Sequence, residues 1–132
     1  MSDNTDLIAF VRARLDEEAL LARDAGGDVW WTPKDLPGEV HGRSGVIAFS
    51  LKSERYDAHI ARQDPADTLR RVAASRVVVD EYAQIAELDT DTAAYDHTSV
   101  RAIGLGFAVR QMAAQYPSHA DYRARWMPRF IR

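Results

Sequence analysis

Apolar residues recur at helical spacing in three stretches of the chain, and the first of them lies near the N-terminus. Over residues 5–25 the apolar positions return every three or four residues, which is typical of a helix with one buried face. Asn4 or Thr5 can cap its start, and Gly26 with Gly27 can end it. We therefore predict a first long helix here, with its charged residues on the solvent side.

The second and third stretches also predict helices. Asp64 suits an N-cap and Pro65 suits the first helical turn, because a proline there loses no backbone hydrogen bond. This helix should run to about Leu88. A third apolar stripe over residues 100–114 predicts a helix that ends before Pro117.

Three smaller features complete the helical prediction. Residues 56–62 predict a short helical turn. Gly104 and Gly106, inside the third long helix, each cost up to about 1 kcal/mol relative to alanine, so we expect them to mark the close approach of another helix. Ser118 can cap a last short helix, which Pro128 stops.

Between the first two long helices, over residues 28–53, short apolar runs alternate with turn residues. Residues 29–32 predict a strand that stops at Pro33, and residues 46–51 predict a strand with at least one buried face. The predicted fold class is therefore α+β and mostly helical, in one domain over residues 1–132. We expect three main helices plus a short C-terminal helix, packed on a small two- or three-stranded antiparallel sheet.

The composition fits a globular domain and excludes several kinds of chemistry. With 46% hydrophobic and 28% charged residues, a chain of 132 residues can bury a core without a metal or a disulfide. It has no cysteine, which excludes disulfides, cysteine-bound metals and thiol catalysis, and we expect no cofactor. The polar N-terminus shows no secretory signal and no apolar run reaches the length of a membrane span, so we expect a cytoplasmic protein without membrane partners.

The formal net charge of −3 conceals a basic C-terminal quarter. From residue 100 onward the chain has a single acid, Asp121, against six arginines. One interpretation, which we favour, is that this region docks on the acidic body of its own chain or of a second copy. The alternative is a nucleic-acid-binding module, in which arginines contact phosphates beside Trp126. The arginines that this alternative uses are Arg101, Arg110, Arg123, Arg125 and Arg129.

Three sequence features suggest specific chemistry, and a structural role explains the first two better. Residues 42–45 have the GxxG spacing of a nucleic-acid-binding loop, but strand residues flank them, so we predict a hairpin turn. Residues 89–92 alternate aspartate and threonine like a metal or phosphoryl-transfer site, yet the positions that follow fit neither, so we predict helix-end caps. The four histidines are far apart in sequence, and we expect no metal site.

Tryptophans and one histidine supply the remaining candidate contacts. Strand alternation sends Trp30 and Trp31 to opposite faces, so one should be buried and the other exposed. His59 could titrate near neutral pH beside Arg62. The candidate residues for a partner or ligand are Trp30, Trp31, His59, Arg62, Tyr122 and Trp126.

Three segments of the chain, residues 7–17, 59–66 and 117–123, carry a resemblance together with Trp126. They read LIAFVRARLDE, HIARQDPA and PSHADYR. In this order they resemble a family of small actinobacterial and actinophage proteins that is known only as a domain of unknown function. The resemblance spans nearly the whole chain. It implies an actinobacterial or phage setting, and it supplies no established activity, ligand or catalytic residue.

Three hypotheses about function follow. The leading one is a non-enzymatic interaction or regulatory protein, which binds a protein partner or a second copy of itself through apolar helix faces and exposed aromatics. The second is the nucleic-acid-binding module, which requires the arginines on one exposed face. The third is a small-molecule enzyme around His59, which needs a pocket that holds His59 beside a carboxylate.

Overall fold

A computed structural model of the chain describes residues 2–90 and 96–127. Within these ranges the chain forms four α-helices, one two-stranded antiparallel sheet and two 3-10 turns, which confirms the mostly helical α+β class. The helices are α1 (Asp3–Asp24), α2 (Tyr56–Arg62), α3 (Pro65–Ile85) and α4 (His97–Ala113). The strands are β1 (Glu39–Gly42) and β2 (Gly45–Phe49), and the 3-10 turns are Ala86–Leu88 and Ala124–Trp126.

The chain divides into two compact units. The first unit holds Met1–Leu15 and Ala74–Arg132, and the second unit holds Asp16–Ala73. Helices α1 and α3 each run from one unit into the other. The assignment of residues 1–132 to one domain stays a prediction. None of the helices in the described ranges is both long and apolar enough to cross a membrane.

The first unit begins with a cap that differs from the predicted one. The Ser2 Oγ atom accepts the backbone N–H of Thr5 at 3.1 Å, so Ser2 caps α1 and neither Asn4 nor Thr5 does. The Asn4 side chain instead donates to the carbonyl oxygens of Ala86 and Asp89, both at 3.1 Å. The predicted cap was therefore wrong, because a long-range contact engages the Asn4 amide.

The two glycines of α4 differ from each other in their surroundings. A Cβ atom on Gly106 would overlap the Asp89 carboxylate, whereas a Cβ on Gly104 would meet nothing within 4 Å. The expected close approach of another helix was wrong at Gly104, which is exposed, whereas Gly106 makes room for Asp89, the residue that ends the 3-10 turn Ala86–Leu88 against α4. The predicted short C-terminal helix is present as the 3-10 turn Ala124–Trp126, but Ser118 does not cap it, because the residues after Ser118 form turns and the turn Ala124–Trp126 begins after Arg123.

The second unit confirms the predicted start of α3. The Asp64 Oδ1 atom accepts the Asp67 N–H at 2.7 Å, and Asp64 Oδ2 accepts the Trp30 N–H at 3.1 Å. Ala66 N–H donates to the Asp28 carbonyl at 3.1 Å. Asp64 is buried, so one carboxylate both caps the helix and fixes the segment that leads to β1.

The sheet of the second unit is a single hairpin, which α2 contacts. Gly42 pairs with Gly45 around a two-residue turn, as predicted for the GxxG motif. The strand predicted over residues 29–32 is reduced to one isolated bridge between Trp31 and His41. The buried face predicted for β2 was wrong, because no β2 side chain is buried and the hairpin's buried apolar side chain is Val40 on β1.

Candidate protein-binding site

The exposed apolar side chains of the second unit concentrate around the hairpin. Five of them, exposed by 44% to 86%, form what we call the hairpin surface: Trp31, Val46, Ile47, Phe49 and Leu51. Apolar side chains that stand singly on a protein surface are common, but a group of large ones is typical of an interaction site. The hairpin surface is therefore a candidate site for a protein partner.

The backbone of β2 is open to pairing on one edge. His41 and Glu39, the β1 residues opposite Val46 and Phe49, donate their N–H groups to residues outside β2, at 2.8 and 3.2 Å. These two pairs are therefore of the non-hydrogen-bonded kind, in which the backbone groups of both residues point away from the partner strand. Val46 and Phe49 thus direct their N–H and C=O groups to the edge of β2 that no described strand covers.

The sequence of β2 lacks the features that usually protect an edge strand. Natural edge strands carry charges, prolines or covering segments that prevent pairing with another chain. Residues 44–51 contain neither a charged residue nor a proline, and the flanking charges are Arg43 and Lys52. The register of the hairpin shifts between Val40 and His41, which makes Ile47 an extra residue in β2 and bends its edge locally. An edge without charge or proline, with exposed apolar side chains on both faces, still favours strand pairing with a partner.

The sequence-predicted residues of the second unit lie in different surroundings. Trp31 is exposed and its ring lies against His41, with centroids 6.2 Å apart, whereas Trp30 is half-buried, in agreement with the predicted alternation. Trp30 lines a cavity of about 390 Å³, together with Leu21 and Pro65 among others. Trp31 is thus the tryptophan available for contact, although its binding role stays a prediction.

His59 and Arg62 are both exposed on α2, and neither lines the cavity beside Trp30. Asp57 is the carboxylate nearest to His59 in sequence. It accepts hydrogen bonds from the Ala58 backbone N–H and from the Arg55 side chain, the latter at 3.2 Å. The hydrogen bond from Ala58 is the main cause that lowers the pKa of Asp57. The described residues contain no group of three His, Asp or Glu side chains that could hold a metal ion. His59 also does not line the cavity beside Phe10 or the cavity beside Ile8.

The C-terminal arginines pair with acids of their own unit. Four ion pairs are present: Arg101 with Glu81 at 2.7 Å, Arg110 with Asp89 at 3.0 Å, Arg123 with Asp6 at 2.8 Å and Arg125 with Asp3 at 2.6 Å. Arg129 lies outside the described residues. This arrangement supports the interpretation that the basic region docks on its own acidic body, and it leaves these four guanidinium groups engaged rather than presented to phosphates.

The two aromatic candidates near the C-terminus lie in an aromatic cluster around Phe10. Trp126 is 1% exposed, and its indole N–H donates to Asp3 Oδ1 at 3.0 Å. Tyr122 is half-buried, with its ring centroid 6.0 Å from that of Phe10. α1 and the C-terminal segment therefore enclose the indole of Trp126, and its role as a contact residue stays a prediction.

Sequence reasoning missed a polar network at the end of α3. Asp89 accepts from the Tyr82 hydroxyl at 2.6 Å and from Arg110 at 3.0 Å, and Arg110 also donates to Asn4 at 3.2 Å. Burial raises the pKa of Tyr82 well above its usual range, and the hydrogen bond to Asp89 adds to the shift. Asp89 stands at the C-cap of the 3-10 turn Ala86–Leu88, in agreement with the predicted helix-end cap, and its side chain is in addition a structural anchor.

The remainder of the aspartate–threonine motif cannot be placed, because Asp91 and Thr92 lie outside the described residues. The cap of α4 is Asp96, whose Oδ1 accepts the Ser99 N–H at 2.8 Å. This hydrogen bond is the main cause that lowers the pKa of Asp96. The signal for it was present in the sequence, since an aspartate three residues before a serine at a helix start is a common cap.

One protein family matches this chain. Its family model covers residues 4–128 and is described as a family of unknown function (DUF6221). No curated protein and no solved structure matches the chain. The match confirms the resemblance to a family of unknown function.

Proposed function

The chain belongs to the DUF6221 family, whose function is unknown. On the basis of its exposed surface, we propose that it is a non-enzymatic interaction protein. It binds a second copy of itself through the free edge of β2. Two β2 strands pair in antiparallel order and join the two hairpins into one four-stranded sheet. The single observation that carries this proposal is the unpaired β2 edge, free of charge and proline, between exposed apolar side chains.

A second copy fits this edge better than an unrelated segment for two reasons. Pairing about a twofold axis sets the uncharged stretch 44–51 against the same stretch, so like charges, Arg43 and Lys52 of the two copies, meet only at the two ends and not at the centre. The hairpin surface also has a suitable size. If each large side chain has a surface of about 150–250 Å², the hairpin surface exposes about 500 Å² per copy. A dimer would then bury about 1,000 Å², which is near the lower limit for a stable interface.

A second exposed apolar stripe exists in the first unit. Val100, Ile103 and Phe107 follow one another at helical spacing on α4 and are 37% to 57% exposed. This stripe matches the expectation that apolar helix faces bind a partner. It offers side chains only, whereas β2 offers both side chains and unpaired backbone groups, and for that reason we place the self-association site on β2.

Light scattering on purified variants tests the proposal. The double variant Val46→Lys with Phe49→Lys sets two charges on the free edge, at side chains that are more than half exposed. The matched control is Val77→Lys with Leu20→Lys, which adds the same charge at side chains of similar exposure outside the hairpin. A third variant, Phe107→Lys, charges the α4 stripe. Circular dichroism of each variant checks that the helices are retained.

The proposal predicts a dimer for the wild type, the control and Phe107→Lys over a wide range of protein concentration, and a folded monomer for the hairpin variant. A wild type that stays monomeric at high concentration would overturn it. A dimer that only Phe107→Lys dissociates would also overturn it and would assign self-association to α4.

The biological setting of this interaction stays a prediction. The cytoplasmic location and the actinobacterial or phage origin rest on the sequence alone. Nucleic-acid binding remains the alternative function, and its arginines Arg101, Arg110, Arg123 and Arg125 would have to leave their acidic partners to contact phosphates. The same light-scattering series with added nucleic acid measures that alternative directly.

A further inference from the structure

The second unit contains the cavity of about 390 Å³ beside Trp30, between the last turns of α1 and the first turns of α3. Cavities of this size accommodate a small organic molecule. Its apolar wall consists of Leu21, Ala22, Ala25, Trp30 and Pro65. Leu21 is 69% exposed, so a ligand in the cavity would remove apolar surface from water.

Trp30 forms an aromatic wall that is already fixed in position. Its backbone N–H donates to Asp64 Oδ2 at 3.1 Å. Its ring lies against the hairpin turn, since a Cβ atom on Gly42 would stand 3.1 Å from Trp30 Cδ1. Because these contacts hold the ring before a ligand arrives, binding costs little conformational entropy there. An aromatic ring in the cavity would pack against this indole and gain an aromatic pair.

Arg71 supplies hydrogen-bond donors at the polar side of the same cavity, beside Gln63 and Thr68. Its Nη2 atom donates to Gln63 Oε1 at 3.2 Å and to Thr68 Oγ1 at 3.4 Å, and its Nε atom is paired with Asp67 at 2.9 Å. These contacts hold the guanidinium group in one orientation. Its Nη1 atom makes no hydrogen bond to a described residue, so the N–H groups of Nη1 can donate to an acceptor on a ligand.

We propose that this cavity binds a small molecule with a planar aromatic ring and an acceptor oxygen, with the ring against Trp30 and the oxygen on Arg71 Nη1. The oxygen belongs to a carboxylate or to a neutral carbonyl group. Glu18, the acid among the lining residues, already takes part in an interaction within the protein, and its charge opposes a carboxylate more than a neutral carbonyl. The two acceptor groups are therefore separate arms of the test.

Titration with indole-3-acetate, indole-3-acetamide and tryptamine, followed by NMR, tests the site. The three probes share one ring and differ in their polar group, which is a carboxylate, a neutral amide with a carbonyl oxygen, or an ammonium group without an acceptor. The readout is the indole N–H signal of Trp30, which Trp30→Phe identifies by removing it. The indole signals of Trp31 and Trp126 are the references. We expect a saturable shift of the Trp30 signal with at least one acceptor probe, and about tenfold weaker binding of tryptamine.

Arg71→Gln is the informative variant. It should fold normally, because it removes an ion pair at an exposed side chain, and it should bind the acceptor probe about tenfold more weakly. Arg70→Gln is the matched control, since Arg70 is also paired with Asp67, at 3.4 Å, but does not line the cavity. It should bind like the wild type. Circular dichroism of both variants checks that the helices are retained.

Several outcomes would overturn the proposal. They are the absence of a saturable Trp30 shift with both acceptor probes, equal affinity for tryptamine, and equal affinity of Arg71→Gln and the wild type. A Trp31 shift as large as that of Trp30 would also overturn it, because the probe would then bind the hairpin surface instead of the cavity.

Discussion

The C-terminal segment of the first unit and the hairpin of the second unit use apolar and polar groups in opposite ways. Residues 116–127 carry arginines and aromatic rings that suggest an external ligand, yet Arg123, Arg125 and Trp126 are all engaged by acids of α1. The hairpin has an apolar strand that suggests a core, yet its side chains and one backbone edge are open to solvent.

An excess of charge and an excess of apolar residues have different outcomes in these two regions. A local excess of one charge on a chain with the opposite net charge is most simply satisfied inside the chain, because the partners are already tethered nearby. An apolar strand in a two-stranded sheet has too little neighbouring surface to be buried on both faces. The excess of apolar surface, and not the excess of charge, therefore marks the surface that is open to a partner.

The largest expected effect is a difference in the free energy of unfolding between tryptophan variants of the two regions. Trp126→Ala should lower the free energy of unfolding by about 3–5 kcal/mol, because it leaves a cavity in the aromatic cluster and removes the hydrogen bond to Asp3. Trp31→Ala, at an exposed ring, should cost less than about 1 kcal/mol. Urea unfolding of both variants, at a protein concentration at which neither associates, measures the difference. Similar losses at both positions would contradict the contrast between the two regions.

A smaller effect distinguishes the two glycines of α4. Gly106→Ala should lower the free energy of unfolding by about 2 kcal/mol, because the added methyl group displaces Asp89 from Tyr82 and Arg110. Gly104→Ala should raise it by about 0.5–1 kcal/mol, because the methyl group meets open space and alanine favours the helix. Thermal unfolding of the two variants gives the signs. Destabilisation by Gly104→Ala would contradict the open space around Gly104, because it would mean that the added methyl group meets other atoms.

The smallest effect is a dependence of stability on alkaline pH. The pKa of Tyr82 is raised in the folded protein, whereas an unfolded tyrosine ionises near pH 10, so the unfolded state loses this proton first. The stabilising contribution is complete below about pH 10 and falls above it, by up to about 1.4 kcal/mol per pH unit. Denaturant unfolding between pH 9 and 11 should show a shallower decline for Tyr82→Phe than for the wild type. Equal slopes would show that Tyr82 ionises normally in the folded state.

The sequence predicts some parts of this molecule well because their signals are local. The start of α3 depends on Asp64 and Pro65, whose cap chemistry lies within one helical turn, and the hairpin turn depends on residues 42–45. The apolar periodicity of α1, α3 and α4 is equally local, and these helices lie within a few residues of their predicted positions.

The remaining features could not be predicted because they depend on contacts between distant residues. Trp126 is buried by α1, more than a hundred positions away in sequence, and no local pattern signals that burial. Asp89 is fixed by Tyr82 and Arg110, and Gly106 accommodates its carboxylate. The alternation in β2 shows that its side chains point to two faces, but only the rest of the fold determines whether either face is covered.

Amide hydrogen exchange at the free edge of β2 reports whether two copies of the chain pair through this strand. The proposed dimer predicts that the amides of Val46 and Phe49 are protected at high protein concentration and lose this protection on dilution. The amide of His41, which donates to the Trp31 carbonyl at 2.8 Å within one chain, is the internal reference and should exchange at a rate independent of concentration. Unprotected exchange of Val46 and Phe49 at every concentration would contradict self-association through this edge.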